Sequence, residues 1–287
     1  MAQDIQLLII DPQNDFCDLP QGWQPSDPLT GQRRAPALPV KGAHADMQRL
    51  GQMIDAGKAG ISDIIVTLDS HHRLDVAHPL FWVAADGGDV SPFTSITAQQ
   101  VRDGLYRPRR AEVLPRVQAY LDELEARGRY TLMIWPVHCE IGTWGHNVHA
   151  EVLAACNRWE EANWTVVKQV YKGANPWTEH YSAMQAEVPD ADDPDTQLNQ
   201  ALIAQLDQAD VLLIAGEASS HCVKATTEHI VDNLPSGQLS KIVLLTDCMS
   251  PVGGFEAQAE GFLTAMRDRG VRLATSQEAL PWLLANA

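Results

Sequence analysis

Six residues of types that do chemistry stand at comparable places along this chain, each just past a short apolar run. Asp11 follows IQLLII (5–10), and Asp69 and His71 follow ISDIIVTL (61–68). His138 follows YTLMIW (130–135), Lys172 follows WTVVKQV (164–170), and Cys222 follows DVLLIA (210–215). A thiol can attack a carbonyl carbon. A carboxylate beside it can take the thiol proton and pass it to a leaving amine. A lysine nearby can balance the carboxylate and stabilise the anionic nucleophile.

Cys222 opens a helical pattern carried by Val223, Thr226, Thr227, Ile230, Val231 and Leu234. At a helix N-terminus, unpaired N–H groups and the helix dipole are expected to lower the thiol pKa. The same N–H groups can hold an oxyanion. Alone, such a cysteine is more often a small buried hydrophobe. Asp11 alone reads as a strand-end cap, and Lys172 as a solvated head. Their coincidence at corresponding strand ends points to catalysis. Asp69 and His71 are two apart on a strand exit, so they can face the same side. With His138 they suit one divalent zinc, iron or manganese ion, water filling the remaining positions. His72 and His78 are possible further ligands.

The apolar runs must be the elements that position these residues. With KIVLLT (241–246) and VRLAT (271–275) there are seven, near-continuous rather than alternating, as in strands covered on both faces. Between them, apolar residues recur at helical spacing: Met47, Leu50, Ile54; Val113, Val117, Leu121, Leu124; Val148, Val152, Leu153, Cys156; Phe262, Leu263, Met266. Strand–helix alternation predicts an α/β fold with a parallel sheet and right-handed crossovers. Ligands in such sheets bind outside the carboxyl ends of the strands, where all six residues would converge. A single domain over 1–287 is expected, with insertions near 80–110 and 180–200. The first carries Gly87-Gly88, Pro92 and Pro108; the second contains the acidic AEVPDADDPDTQ (186–197). Loops this long are usually lids, interface arms or mobile excursions.

A net charge of −16 argues against a nucleic-acid or anionic-membrane partner. Five cysteines, an odd number with no CxxC pair, argue against a disulfide framework and for a reducing compartment. The opening MAQDIQLLIIDPQND has no basic leader region, and LLII is too short for a signal or a span. A soluble, cytoplasmic protein is expected.

At this point several stretches together resemble the isochorismatase-like cysteine hydrolases, and within them the nicotinamidase/pyrazinamidase branch. They are LLIIDPQNDFC (7–17), ALPVKGA (37–43), VTLDSHH (66–72), WPVHCEIGTWG (135–145), VYKG (170–173), AGEASSHCV (215–223), LLTDCMSP (244–251) and MRDRGVRLATSQE (266–278). The resemblance implies a doubly wound, six-stranded parallel sheet with helices on both faces, often assembled as a homo-oligomer. It implies a Cys–Asp–Lys triad that hydrolyses a small carboxamide through a thioester, nicotinamide giving nicotinate and ammonia. Cys222 is then the nucleophile, Asp11 the proton shuttle and Lys172 its charged partner. Asp69, His71 and His138 match the metal ligands, Phe16 and Trp135 the aromatic walls. The N–H groups of Ala218 and Cys222 match the oxyanion hole, and the peptide before Ala218 is expected to be cis. Departures from the branch are Ser70, His72, Glu217 and the segment GANPWTEHYSAM (173–184). They lie around the acyl pocket, so a different small amide or carbamoyl compound remains an alternative. The metal pattern argues against vinyl-ether hydrolysis and against the metal-free amide hydrolases of this superfamily. A non-catalytic binding protein is the third reading, weakened because every catalytic position is intact.

Overall fold

Burial on both faces turns the apolar runs into strands. The computed structural model describes residues 2–287. Its strands are β1 (Ile5–Ile10), β2 (Asp63–Asp69), β3 (Trp82–Ala84), β4 (Thr94–Ile96), β5 (Tyr106–Pro108), β6 (Leu132–Ile134), β7 (Lys168–Lys172), β8 (Val211–Gly216), β9 (Ile242–Leu245) and β10 (Arg272–Ala274). Six of them form one parallel sheet in the order β10-β9-β8-β1-β2-β7. The central strands β1 and β8 are buried along their whole length. Each Leu or Ile so buried contributes roughly 1.5–3 kcal/mol relative to exposure.

Helices cover both faces. They are α1 (Ala43–Gly57), α2 (Ala98–Arg102), α3 (Leu114–Arg127), α4 (Ala150–Asn163), α5 (Gln200–Leu206), α6 (Cys222–Asn233), α7 (Glu256–Asp268) and α8 (Ser276–Asn286). α1 packs on α4 and α8, while α6 packs against α7. The residues at helical spacing face the core, except that Leu153 on α4 is exposed and Val113, Val148 and Leu263 are half-buried. None of these helices is long and apolar enough to cross a membrane.

Two of the seven runs depart from expectation. YTLMIW yields only the short β6, which leaves the main sheet and pairs antiparallel with β4 from the first insertion. WTVVKQV yields β7 from Lys168 only; it is the sheet edge, so Val166 and Tyr171 are exposed and the strand is buried only at Lys172. A sheet edge lacks a covering neighbour, which a one-dimensional apolar count cannot register. The first insertion makes its own small ladder, β3 with β5, besides lending β4 to β6.

The junction that matters for the site is the end of β8 against β1. Ile10 and Gly216 are in register there. Gly216 has φ +122°, and a Cβ on it would lie 1.9 Å from the Ile10 carbonyl oxygen. Only glycine permits this approach. Gly216→Ala should therefore cost at least about 2 kcal/mol of stability, because backbone on both sides must move. Urea unfolding at fixed pH measures it; a loss below about 0.5 kcal/mol would show that the strand ends part easily.

Candidate active site

The strand ends deliver their residues to one place. Asp11 takes a left-handed turn out of β1 with φ +44°. Its N–H bonds Thr67 O at 3.1 Å, and Thr67 Oγ1 donates to Asp11 Oδ1 at 2.6 Å. Two residues on, Gln13 clasps the end of β2: its Nε2 donates to Asp69 O at 2.7 Å and its Oε1 accepts from Asp69 N at 2.8 Å. Asp69 is in register with Lys172 on β7. The next residue, Gly173, has φ +86°, and a Cβ there would come within 2.9 Å of Asp69 Oδ1.

Lys172 is the centre of the arrangement. Its ammonium lies 3.0 Å from Asp11 Oδ2, 2.9 Å from Asp69 Oδ1, 3.0 Å from His180 O and 3.7 Å from Cys222 Sγ. It is only 3 % exposed, so it is no solvated head. Burial alone would lower its pKa, but Asp11 and then Asp69 outweigh burial and hold it well above the usual lysine range.

Cys222 is the first residue of α6, and the thiol is buried against Asp11 and Lys172. The expected lowering of its pKa is not found. Burial pushes the thiol well up, Lys172 opposes, and the carboxylates of Asp11 and Asp69 push it up again. The resting nucleophile is therefore a thiol that needs a base. Asp11, buried completely, is raised by burial, lowered by Lys172 and raised by Asp69. Its carboxylate is a stronger base than one in water. The Glu217–Ala218 bond is cis. Neither Ala218 N–H nor Cys222 N–H bonds a backbone acceptor among the described residues.

Asp69, His71 and His138 offer ligand atoms that lie within 4.8 Å of one another. His71 Nδ1 lies 3.0 Å from Asp75 Oδ2 and His138 Nδ1 lies 2.8 Å from Pro136 O. Because both partners only accept, each Nδ1 carries its proton. Each Nε2 then turns toward Asp69 Oδ2, at 3.0 and 3.3 Å. Without a metal, burial is outweighed by Asp69 and then Asp75, which hold His71 protonated. A divalent ion would take that proton's place between the two Nε2 atoms and Asp69, and the second carboxylate behind His71 is the usual support for a metal-binding histidine. The donor set fits a divalent ion. His138 reaches the site although β6 left the sheet, because 139–141 pairs with the extension of β2: His71 N donates to Cys139 O at 3.1 Å and Ile141 N to His71 O at 3.0 Å.

His72 is exposed and takes no part. His78 is buried edge-on to His71 and His138, ring centroids 5.2 and 5.5 Å away, with neither nitrogen bonded. Burial first, and His71 next, lower its pKa to about 4. Phe16 and Trp135 line a narrow space beside Cys222 together with Leu38, Tyr181, His221 and Val252. That space is about 20 Å³, little more than one water needs, so a planar ring enters only as these side chains shift.

Several site residues escaped the sequence reading. Asp75 stands four after His71, and Thr67 stands two before Asp69 on the same strand face; both spacings could have marked them. Glu179 and Tyr181 come from the divergent segment after Lys172. Trp135 Nε1 donates to Tyr181 Oη at 3.0 Å. Glu179 lines the pocket with Oε2 unbonded, and burial first raises its pKa to about 8, against His71 and helped by Asp75 and Asp69. Its one signal was a carboxylate set among Trp177, His180 and Tyr181.

By sequence, no family model and no curated protein matches the chain. By structure it is similar to a nicotinamidase pyrazinamidase of Acinetobacter baumanii, with 18 % identity, TM-score 0.61, and 96 % of this chain and 98 % of that one covered. It is similar to the yeast nicotinamidase Pnc1p bound to the inhibitor nicotinaldehyde, with 18 % identity, TM-score 0.61, and 94 % and 99 % covered. It is also similar to the pyrazinamidase of Pyrococcus horikoshii in complex with zinc, with 18 % identity, TM-score 0.51, and 95 % and 99 % covered. At this identity the likeness establishes the fold, which is the one expected.

Lys172 is the cation nearest the thiol, so removing it should raise the thiol pKa. In Lys172→Met, alkylation of Cys222 should need a higher pH than in the parent, read by mass spectrometry across pH. An unshifted profile would mean the ammonium does not act on the sulfur.

Proposed function

We propose that this protein is a metal-dependent cysteine amidohydrolase of small carboxamides, with nicotinamide, hydrolysed to nicotinate and ammonia, as its substrate. One observation carries the reading: thiol, carboxylate and ammonium meet at three strand ends beside a site for a divalent ion. Asp11 accepts the Cys222 proton as sulfur attacks the amide carbon. The N–H groups of Ala218 and Cys222 hold the oxyanion. Asp11 returns the proton to the leaving nitrogen, and ammonia departs from a thioester. Asp11 then deprotonates a water that attacks the thioester, releasing the acid and the thiol. Lys172 keeps Asp11 anionic between these transfers, and Phe16 and Trp135 flank the ring. A divalent ion held by Asp69, His71 and His138 would supply a Lewis-acidic anchor for the ring nitrogen. The zinc named with the Pyrococcus horikoshii structure and the nicotinaldehyde named with the yeast one support this choice. The five unpaired cysteines suit a reducing cytoplasm.

A different small amide is the second reading, favoured by Glu179. A neutral acid with an unbonded oxygen in the pocket wall suits a substrate bearing a further hydrogen-bonding group. Ammonia release from a panel of amides separates the two.

Asp11→Asn should lower the acylation rate by about two orders of magnitude or more, and Cys222→Ala should abolish turnover without unfolding the chain. An aldehyde analogue should form its thiohemiacetal on Cys222; an adduct mapped to Cys17 or Cys139 would refute the assignment.

The purified protein should carry about one divalent ion per chain, and Asp69→Ala should lose it. Loss should raise KM for a pyridine carboxamide strongly and for an aliphatic amide little. If Asp69→Ala lacks metal yet hydrolyses nicotinamide as well as the parent, the ion is not the ring anchor.

A further inference from the structure

Between Gly216 and Ala218 the chain places Glu217, a carboxylate just past the carboxyl end of the fully buried β8. The side chain is fully buried and no lysine or arginine reaches it. Glu217 N donates to Ile10 O at 2.8 Å, and Glu217 Oε2 accepts from Ser250 N at 3.1 Å. Oε1 has no N–H or O–H partner supplied by a neighbour. Asp46 on α1, itself buried, meets the same residue: Ser250 N donates to Glu217 and Ser250 Oγ donates to Asp46 Oδ2. Two buried carboxyl groups converging on one residue repel unless one of them keeps its proton.

The neighbours decide which one holds it. Asp46 accepts from Ser250 Oγ at 2.5 Å and is paired with Arg49, whose Nε donates to Asp247 O at 2.6 Å. It thus has two donors suited to an anion. Glu217 has one backbone N–H. The other titratable groups facing it are Asp18 and Cys17 from the first loop. None is cationic. Burial first, and then Asp46, push the Glu217 carboxyl well above the usual range.

This proton ties three segments together. Ser250 O accepts from Ser219 N at 2.9 Å, and Ser220 Oγ accepts from Val252 N at 3.1 Å. The turn bearing Ala218, the first turns of α1, and the 247–252 loop with its pocket residue Val252 all meet at Glu217. We propose that Glu217 is a positioning residue that works as a carboxylic acid, its proton bridging to Asp46 so that the oxyanion turn stays in place. It touches no reacting atom; it acts through the Ala218 N–H. The kinetic part of this inference rests on the amidohydrolase reading, and the structural part does not.

The sign of its pH dependence follows from linkage. A folded state that keeps a proton which the unfolded chain releases above about pH 4.3 loses stability as pH rises from there toward the folded pKa. Glu217→Gln supplies a permanent amide donor to Asp46 and an acceptor for Ser250 N. It should keep kcat within about two-fold of the parent. Its advantage in urea midpoint over the parent should grow from pH 5 to pH 9. Its infrared difference spectrum against the parent at neutral pH should show one protonated carboxylic acid lost. Glu217→Leu, near the same volume without the bridge, should lower kcat about ten-fold with KM within about two-fold, because a misplaced oxyanion donor is felt in the transition state. Should that variant fail to fold, Asp46→Asn serves: its amide can donate to an ionised Glu217, so the pH-dependent part of the stability should shrink to what burial alone supplies. Equal damage from Gln and Leu, or a parent-to-Gln midpoint difference that is flat with pH, overturns the inference. A parent that releases ammonia from no amide overturns the functional reading instead, since the midpoint and infrared measurements need no substrate.

Discussion

A buried ammonium shared by two buried carboxylates is the interaction around which the site is built. Lys172 is too deep to be solvated, so it must be paired, and removing one member of such a set costs about 3–5 kcal/mol. Its partners Asp11 and Asp69 come from the neighbouring strands β1 and β2. The pairing therefore also fixes register. A one-residue slip of β7 against β2 would turn Lys172 out of the site and leave two carboxylates facing each other. Gly173 and Gly216 serve the same constraint, since a side chain at either would push the strand ends apart.

One cation between two carboxylates does not treat them alike. Burial pushes both up. For Asp69, His71 and Lys172 together overcome burial and hold it well below the usual range. For Asp11, burial wins. Two carboxyl groups whose proton affinities are driven apart divide the work: the raised one moves protons, and the depressed one stays an anion fit to hold a cation. The division comes from what lies behind each group. Asp69 backs onto His71 and His138, whereas Asp11 backs onto the Thr67 hydroxyl and the Cys222 thiol.

The sheet and the six converging residues were legible because strand ends in a parallel sheet are a one-dimensional feature: apolar run, then reactive residue. Asp11, Asp69, His71, His138, Lys172 and Cys222 all lie where that pattern put them. What it could not show is which runs stay in the sheet. YTLMIW is as apolar as its neighbours, but the first insertion supplies β4 as a competing partner, and His138 arrives by the pairing of 139–141 with His71 instead. Glu179 and Tyr181 stayed hidden because their roles depend on burial and on partners distant in sequence, whereas Asp75, four residues after His71, could have been marked by its spacing. The thiol pKa was misjudged for a similar reason. A helix N-terminus is visible in a sequence, but the depth at which it sits is not.

That misjudgement bears on charge as a whole. The formal −16 counts every carboxyl as ionised. Burial raises Glu179 to about 8 and, against its Arg129 partner, Glu187 to about 7, and it pushes Glu217 well above the usual range. The fold thus carries fewer negative charges than the formula at neutral pH. The chain remains acidic, so the argument against polyanionic partners keeps its sign. But these acids are interior, and they add little to the surface repulsion that net charge is used to infer. A protonated carboxyl can donate a hydrogen bond, a capacity that acidic side chains gain only where the fold withholds water from them.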